Sequence, residues 1–248
     1  SRLIALALVL LAIAIVAVMI YPGELSHISA SLNRRLYDRA AANYERKWAS
    51  DAYQDSETGE AVRSFCRDAI EASGVRRVLD LGCGTGRAIR MLSSALPADT
   101  EFEAVDFSAA MLDRFREWLN GQDPALRDRV RLHEHDLSEW AGESGTHGQT
   151  GLAILLEVGE FLTNFETVAR SIGASVAPGG GLLMTRPAGL WWIFFVHRHQ
   201  SRRSLTHLLC ESGFDDVEFR PWRSRYELVF ARKRSRVAQS TCDISSSA

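Results

Sequence analysis

Short apolar runs that end in a carboxylate or a glycine recur along the chain, and they predict buried strands. Such runs occupy residues 75–81, 102–106 and 152–156, each of a length typical of a strand. Between the second and third runs, residues 109–120 repeat apolar side chains at helical spacing, and Ser108 stands where a helix N-cap is expected. Strands that alternate with helices in this way predict an α/β fold.

Further elements bring the number of predicted strands to seven. The third strand in chain order covers 130–137, so the run over 152–156 is the fourth. A Pro-Gly-Gly turn leads into a fifth strand over 177–185, and two more strands cover 214–221 and 225–231. A helix is predicted over 201–213, between the fifth and sixth strands. The helix is ended by a glycine, and the last strand combines a tyrosine with alternating apolar residues.

The longest apolar stretch is at the N-terminus, where the eighteen residues from Leu3 to Ile20 carry no charge. As a helix this stretch would reach roughly 27 Å, about the thickness of the hydrocarbon core of a bilayer. A cleaved signal peptide is the alternative, since Arg2 supplies the positive charge that such peptides carry. The usual apolar region of a signal peptide is shorter, about 7–15 residues, and residues 28–30 make a poor cleavage site. We therefore expect an uncleaved anchor.

The turn after the first predicted strand carries the most specific chemistry. Residues 80–86 are Asp-Leu-Gly-Cys-Gly-Thr-Gly, with glycines at alternate positions, and glycine lets the backbone approach a ligand closely. The helix expected from about residue 88 would direct its unpaired N–H groups at that ligand. A dinucleotide fingerprint requires Gly-x-Gly-x-x-Gly/Ala, whereas Arg87 occupies the last of these positions. Asp80 would also repel a pyrophosphate, so the turn excludes a nicotinamide dinucleotide and favours a cationic ligand.

This turn resembles motif I of the class I S-adenosylmethionine-dependent methyltransferases, in which an Asp/Glu-x-Gly-x-Gly-x-Gly sequence holds the methionyl part of the cofactor. Acidic residues also end the next two predicted strands, in the order that this family shows. The resemblance as a whole covers about Leu36 to Arg232. It implies a seven-stranded Rossmann-like sheet, mostly parallel with the last strand antiparallel, with helices on both faces. The apolar N-terminal stretch adds the expectation of one transmembrane helix before this domain. The resemblance also implies S-adenosylmethionine as the cofactor.

The resemblance implies cofactor-binding residues at the ends of successive strands. The glycine turn would hold the methionyl part, an acidic residue after the second strand would accept the ribose hydroxyls, and one after the third strand would lie near the adenine. An acidic residue after the fourth strand completes the set. In chain order the predicted residues are Asp80, Gly82, Cys83, Gly84, Gly86, Asp106, Phe107, Asp136, Leu137 and Glu157.

Two carboxylates are the candidate catalytic residues. Methyl transfer from such a cofactor is an in-line displacement, so the protein mainly aligns the acceptor and excludes water. A general base is needed only when the nucleophile arrives protonated. Glu157 and Glu160 follow the fourth strand and could serve as that base, or they could bind a cationic amine. Many relatives carry His or Asn-type residues here, so the sequence leaves the identity of any base open.

A segment before the domain adds candidate substrate contacts. Residues 37–45 resemble the Tyr-Asp-x-x-Ala-x-x-Tyr-Asp/Glu helix of quinone and phospholipid methyltransferases, which lies over the cofactor and walls off the acceptor pocket. Tyr37 and Tyr44 fall on one face of such a helix, so both are predicted to contact the substrate. The alternative is an amphipathic linker that packs its aromatic residues on the core.

A third apolar feature follows the fifth predicted strand. Segment 187–199 carries adjacent tryptophans among aliphatic residues, ends in basic residues and is too short to span a bilayer. This composition is typical of the membrane–water boundary. We therefore expect residues 189–196 to touch the membrane surface, and Trp191, Trp192 and His197 to line the substrate entrance. A buried helix that completes the core is the alternative.

Composition limits the partners. The net charge of −2 and the pI near 6.4 provide no basic field for nucleic acid, so no nucleic-acid partner is expected. The spacing of His and Cys predicts no metal site. The expected organisation is an anchor over 1–22, a linker with the lid helix over 23–60, a methyltransferase domain over 61–232 and a disordered tail over 233–248.

The sequence therefore predicts a single-pass membrane methyltransferase acting on a lipophilic acceptor, such as a phospholipid head group, a quinone or another isoprenoid. Because the cofactor is made and kept in the cytosol, we expect the catalytic domain on the cytoplasmic side. Two alternatives are a methyltransferase for a soluble small molecule or a protein, and a non-catalytic cofactor-binding membrane scaffold. The acceptor atom and the oligomeric state do not follow from the sequence.

Overall fold

The computed structural model describes the central part of the chain. The described residues are 34–35, 37–39, 41, 57–140, 149–189, 200–222 and 225–235. The predicted anchor and much of the tryptophan-rich segment lie outside them. Within the described residues, no helix combines the length and the apolar character that a membrane crossing requires.

Seven strands form one sheet in the described residues. They are β1 (Arg77–Leu81), β2 (Glu101–Asp106), β3 (Val130–Glu134), β4 (Thr150–Leu155), β5 (Val176–Pro187), β6 (Phe214–Trp222) and β7 (Tyr226–Lys233). Their order across the sheet is β3-β2-β1-β4-β5-β7-β6. Strands β1 to β5 are parallel, whereas β7 is antiparallel to both β5 and β6. The prediction of a seven-stranded, mostly parallel sheet is therefore confirmed.

Helices cover both faces of this sheet. They are α1 (Glu57–Ser73), α2 (Arg87–Leu92), α3 (Ala109–Asn120), α4 (Pro124–Arg127), α5 (Leu137–Trp140), α6 (Phe165–Ser175) and α7 (Arg202–Glu211). Successive strand residues such as Val78 and Leu79 point to opposite faces, and they belong to two separate apolar clusters. The first cluster includes Ile70 of α1 and Phe115 of α3, and the second includes Leu209 of α7.

Strand β3 ends earlier than the sequence predicts. Its last residue is Glu134, after which the backbone N–H of His135 donates to the carbonyl of Asp106 at 3.0 Å. Asp136 and Leu137 therefore lie in the turn that begins α5, beyond the strand rather than within it. The turn is still at the carboxyl end of the strand, which is where the sequence predicts the adenine contact.

Helix α1 begins at Glu57 and so crosses the boundary that the sequence places between residues 60 and 61. The helix is amphipathic, with Val62, Cys66 and Ile70 fully buried. It packs mainly against β5 and β4. The limits of the predicted domains stay predictions.

Candidate active site

The predicted site residues meet at the carboxyl edge of the sheet. β1 lies between β2 and β4, because the chain crosses from one half of the sheet to the other after β3. Such a switch in strand order opens a crevice at the carboxyl ends of the strands, where ligands bind in open α/β sheets. The glycine turn follows β1 at this point, between the ends of β2 and β4.

The glycine turn adopts a backbone that only glycine accommodates easily. Gly82, Gly84 and Gly86 all have positive φ, at 73°, 54° and 85°, and a side chain in this region is strained. A Cβ on Gly82 would overlap the Val158 side chain, and one on Gly86 would overlap Phe115. A Cβ on Gly84 would meet no described atom within 4 Å. The turn is therefore packed on two sides and open at its middle glycine.

Hydrogen bonds hold this turn against β2. The backbone N–H groups of Gly82 and Cys83 both donate to the carbonyl of Val105, at 2.8 and 3.0 Å. The Cys83 side chain is buried, and burial raises the pKa of its thiol well above its usual range. A protonated, buried thiol is a small filler rather than a nucleophile.

Asp106, the last residue of β2, is tied directly to the glycine turn. One carboxylate oxygen accepts the N–H of Gly84 at 2.8 Å, and the other accepts the N–H of Ser108 at 2.9 Å. Burial raises the pKa of Asp106 to about 6, although these bonds to N–H groups oppose the rise. The side chain thus fixes the middle of the turn, and its contact with the ribose stays a prediction.

Asp80 lies buried beneath the turn, 3% exposed. Its Oδ2 atom has no hydrogen-bond partner among the described residues. Burial raises the pKa of Asp80 to about 7, the neighbouring Asp106 adds to the rise, and Arg87 opposes it. A buried carboxyl group with an unused oxygen is suited to a cationic or hydrogen-bond-donating ligand.

Glu157 stands in a constrained position after β4. Its backbone has φ of 58°, which is uncommon for a residue other than glycine, and its N–H donates to the Thr185 hydroxyl of β5 at 2.6 Å. Its carboxylate pairs with the Arg87 guanidinium at 2.9 Å. The side chain is mostly buried, and it joins the end of β4 to the first turn of α2.

Glu160, the second predicted catalytic residue, is 3% exposed in a short 3₁₀ turn, Gly159–Phe161. The hydroxyl of Tyr226, the first residue of β7, donates to Glu160 Oε1 at 2.7 Å. The Oε2 atom has no hydrogen-bond partner among the described residues. Burial raises the pKa of Glu160 to about 7, Tyr226 opposes the rise and Glu157 adds to it.

The described part of the lid segment lies over this edge. The Tyr37 ring makes edge contacts with Phe107 after β2 and with Phe161 after β4, with centroids 5.6 and 6.3 Å apart. The Ser108 hydroxyl donates to the Asp38 carboxylate at 2.6 Å. Tyr37 thus bridges the two strand ends between which the cofactor is predicted to lie.

Four of the predicted substrate residues are not placed by the structure. Tyr44, Trp191, Trp192 and His197 lie outside the described residues, so their roles stay predictions. Asp136 is half-buried and Leu137 is buried in the turn after β3.

Sequence reasoning missed the partners of the predicted carboxylates. Arg87 appeared only as a residue too large for a dinucleotide turn, and the tyrosine at position 226 only as a strand residue. Both are distant in sequence from the glutamates they contact, by 70 and 66 positions. The signal available was an arginine directly after the glycine turn, which could have suggested compensation of the acidic residues there.

Comparisons with known proteins relate part of the chain to methyltransferases. Residues 79–182, from β1 to β5, match the family model described as a methyltransferase domain. A trans-aconitate 2-methyltransferase of Rhodopseudomonas palustris (strain BisA53) is 30% identical over 151 residues, which are 60% of this chain and 48% of the relative. The chain therefore spans about half the length of the curated relatives it matches.

Solved structures share the fold. An O-methyltransferase family protein from Burkholderia thailandensis superposes with a TM-score of 0.58 at 18% identity, covering 87% of this chain and 64% of that one. Phosphoethanolamine N-methyltransferase 2 of Haemonchus contortus, solved with S-adenosyl-L-methionine, gives a TM-score of 0.57 at 15% identity, covering 80% and 57%. At these identities the likeness concerns the fold.

Proposed function

We propose that the chain transfers a methyl group from S-adenosylmethionine to a small-molecule acceptor at the carboxyl edge of β1 and β4, since residues 79–182 match a methyltransferase-domain model. The observation that carries the proposal is the unused oxygen of Asp80, buried beneath the glycine turn. A buried carboxylate requires a cation or a donor. The ammonium group of the methionyl part is both.

The other predicted residues fit the remaining parts of the cofactor. Each oxygen of Asp106 accepts one backbone N–H and keeps a lone pair for a ribose hydroxyl. The open side of Gly84 leaves room for backbone to approach the ligand. Asp136 and Leu137 are proposed to lie beside the adenine. Bound in this way, the sulfonium cofactor supplies an electrophilic methyl group.

The acceptor is proposed to approach from the side of Glu157 and Glu160. An acceptor that arrives protonated, such as a phenol, a thiol or a carbon acid, needs a base at this point. An acceptor that is already ionised needs only alignment and exclusion of water. The lid residue Tyr37, held between Phe107 and Phe161, is placed to help exclude water.

A lipophilic acceptor is the first candidate. It is supported by the eighteen apolar residues from Leu3 to Ile20 and by the tryptophan-rich segment 187–199, both of which favour a bilayer or its surface. In this proposal the chain is single-pass, its catalytic domain is cytoplasmic, and the acceptor is a phospholipid head group, a quinone or another isoprenoid delivered from the membrane.

A carboxylate acceptor is the second candidate, and a separate observation favours it. The curated relatives that the chain matches are named as trans-aconitate 2-methyltransferases. A small polycarboxylate is water-soluble and arrives ionised, so its methylation requires no base. In this proposal the apolar N-terminal segment would determine only where the enzyme resides.

Calorimetric titration of the detergent-solubilised full chain with S-adenosylhomocysteine tests the proposal, with NADH as the ligand control. We expect micromolar binding of S-adenosylhomocysteine and no binding of NADH. The matched protein control is Gly84→Val, which fills the open side of the turn and should abolish binding. Absence of binding to the unmodified chain would refute the proposal. Binding without transfer to any lipid or carboxylate acceptor would favour the scaffold alternative.

A further inference from the structure

The turn that carries Glu160, Gly159–Phe161, follows the end of β4 at the carboxyl edge of the sheet. Glu157, two residues before this turn, is bound to Arg87 in the first turn of α2. Phe161, at its end, contacts the ring of Tyr37 in the lid segment. Glu160 thus lies between a residue fixed to the glycine turn and a residue fixed to the lid. The part of the cofactor that lies nearest to an acceptor is its methyl-bearing sulfur.

The Glu160 carboxyl group is held in one orientation by Tyr226. Its Oε1 atom accepts the Tyr226 hydroxyl at 2.7 Å, whereas Oε2 is buried without a hydrogen-bond partner among the described residues. Tyr226 is itself fixed, since it pairs with Pro187 of β5 and Trp222 of β6. A buried carboxylate in which only one oxygen accepts a hydrogen bond is energetically costly, unless a cation or a hydrogen-bond donor contacts the other oxygen.

We propose that Glu160, oriented by the Tyr226 hydroxyl, binds the sulfonium centre of S-adenosylmethionine and thereby distinguishes this cofactor from its product, S-adenosylhomocysteine. The inference rests on the proposed function and adds a ligand discrimination to it. Cofactor and product share the ammonium, carboxylate, ribose and adenine groups. They differ by one methyl group on the sulfur and by the positive charge that the sulfur carries only in the cofactor. A sulfonium offers no N–H or O–H, so charge is the property by which the protein can favour it.

This discrimination should depend on pH. Among the described residues, the groups that act on Glu160 are Glu157, three positions before it, and Tyr226 of β7, while Arg87 of α2 is paired with Glu157. Since burial raises the pKa of Glu160 to about 7, its negative charge is largely absent at pH 6 and largely present at pH 8. Asp80 and Asp106 also titrate in this range, but they face groups common to both ligands.

The test is the ratio of the two dissociation constants, measured by calorimetry on the full chain with S-adenosylmethionine and S-adenosylhomocysteine at pH 6 and pH 8. The preference for S-adenosylmethionine should increase about tenfold between these pH values, as expected for one carboxyl group of pKa near 7. Glu160→Gln should abolish the increase. Tyr226→Phe removes a hydrogen bond that stabilises the ionised Glu160 carboxylate, so the pKa of Glu160 should rise further. The increase in preference should then occur at higher pH. Glu166→Gln, at an exposed position of α6, is the matched control and should behave as the unmodified chain.

The outcomes separate the two proposals. If neither ligand binds the unmodified chain, the proposed function fails. If both bind, but the ratio does not change with pH or changes equally in Glu160→Gln, the discrimination by Glu160 is refuted and the proposed function stands. If Glu160→Gln does not fold, Tyr226→Phe decides: an unshifted pH dependence, with S-adenosylhomocysteine binding retained, would refute the role of the pair.

Discussion

Arg87 and Glu157 form an ion pair across the candidate site, with Arg87 Nη2 2.9 Å from Glu157 Oε1. Both side chains are largely shielded, at 27% and 11% exposed. The pair connects the first turn of α2, which follows the glycine turn, to the end of β4. It therefore fixes the distance between the predicted methionyl position and the predicted acceptor side.

Replacing Arg87 by Met should destabilise the protein more than replacing Glu157 by Gln. Arg87→Met removes the guanidinium that is paired with the Glu157 carboxylate, at a cost of about 1–3 kcal/mol. Glu157→Gln keeps an oxygen that accepts the same hydrogen bond, so a smaller loss is expected. Urea unfolding of both variants measures the difference. Arg114→Met, which breaks an exposed pair on α3, is the control and should change stability little. Equal stability of all three variants would contradict the expectation.

The glycine turn offers two substitutions that separate backbone strain from side-chain overlap. Gly82→Ala and Gly84→Ala both place a Cβ at positive φ, which costs roughly 1–2 kcal/mol. Only the Cβ at Gly82 also overlaps a neighbour, the Val158 side chain. Gly82→Ala should therefore be the more destabilising change. Urea unfolding checks this order, and a reversed order would show that the turn packs differently.

Much of this turn could be predicted from the sequence because its determinants are local. The glycine spacing, the preceding carboxylate and the apolar strand are adjacent in the chain, and each requires a particular backbone. The same holds for Ser108, whose hydroxyl accepts the N–H of Met111 and caps α3 as expected. Asp106 is a similar case, since its place at a strand end follows from the apolar run before it.

Asp106→Asn should weaken cofactor binding and loosen the turn. The carboxylate accepts two N–H groups, whereas an amide has one oxygen and would direct its own N–H at the other donor. We expect at least about a tenfold loss of S-adenosylhomocysteine affinity, equivalent to about 1.4 kcal/mol. Asp113→Asn, at an exposed position of α3 that pairs only locally with Arg116, is the control. Unchanged affinity in Asp106→Asn would refute the ribose assignment.

Stability should fall as the pH rises from 5 to 8. Burial raises the pKa of Asp80 and Glu160 to about 7 and that of Asp106 to about 6, above the values near 4 expected for the unfolded chain. The native state therefore holds protons that the unfolded state has lost, so the stabilisation is complete below pH 4 and is lost as the pH passes through 6 and 7. Each group contributes up to about 1.4 kcal/mol per pH unit within that window.

Urea unfolding at pH 5, 6, 7 and 8 measures this slope. Asp80→Asn and Glu160→Gln each remove one titrating group, and each should flatten the curve. Glu166→Gln on the surface of α6 should not. A stability that is constant, or that rises, over this range would contradict the burial of these carboxyl groups in their protonated form.

The contacts between distant residues could not be predicted from the sequence. Tyr226 reaches Glu160 because β7 inserts antiparallel beside β5, which places Tyr226 opposite Pro187 at the same edge of the sheet as the end of β4. No local pattern encodes that pairing. The positive φ of Glu157 is also without a sequence signal, and the hydroxyl that accepts its N–H belongs to Thr185, 28 positions away.

Removing residues 1–22 should separate the two candidate acceptors. The described domain begins at α1, residue 57, and its lid contacts begin at residue 34, so the shortened chain should bind S-adenosylhomocysteine with unchanged affinity. If the acceptor is lipophilic, transfer of labelled methyl to lipids in vesicles should collapse, because the enzyme no longer resides at the bilayer. If the acceptor is a small carboxylate, transfer to trans-aconitate should be unchanged. Replacing residues 1–22 with an unrelated apolar helix of equal length is the control, and it should restore lipid methylation if the segment acts only as an anchor. Loss of cofactor binding on truncation would show instead that the segment supports the fold of the domain.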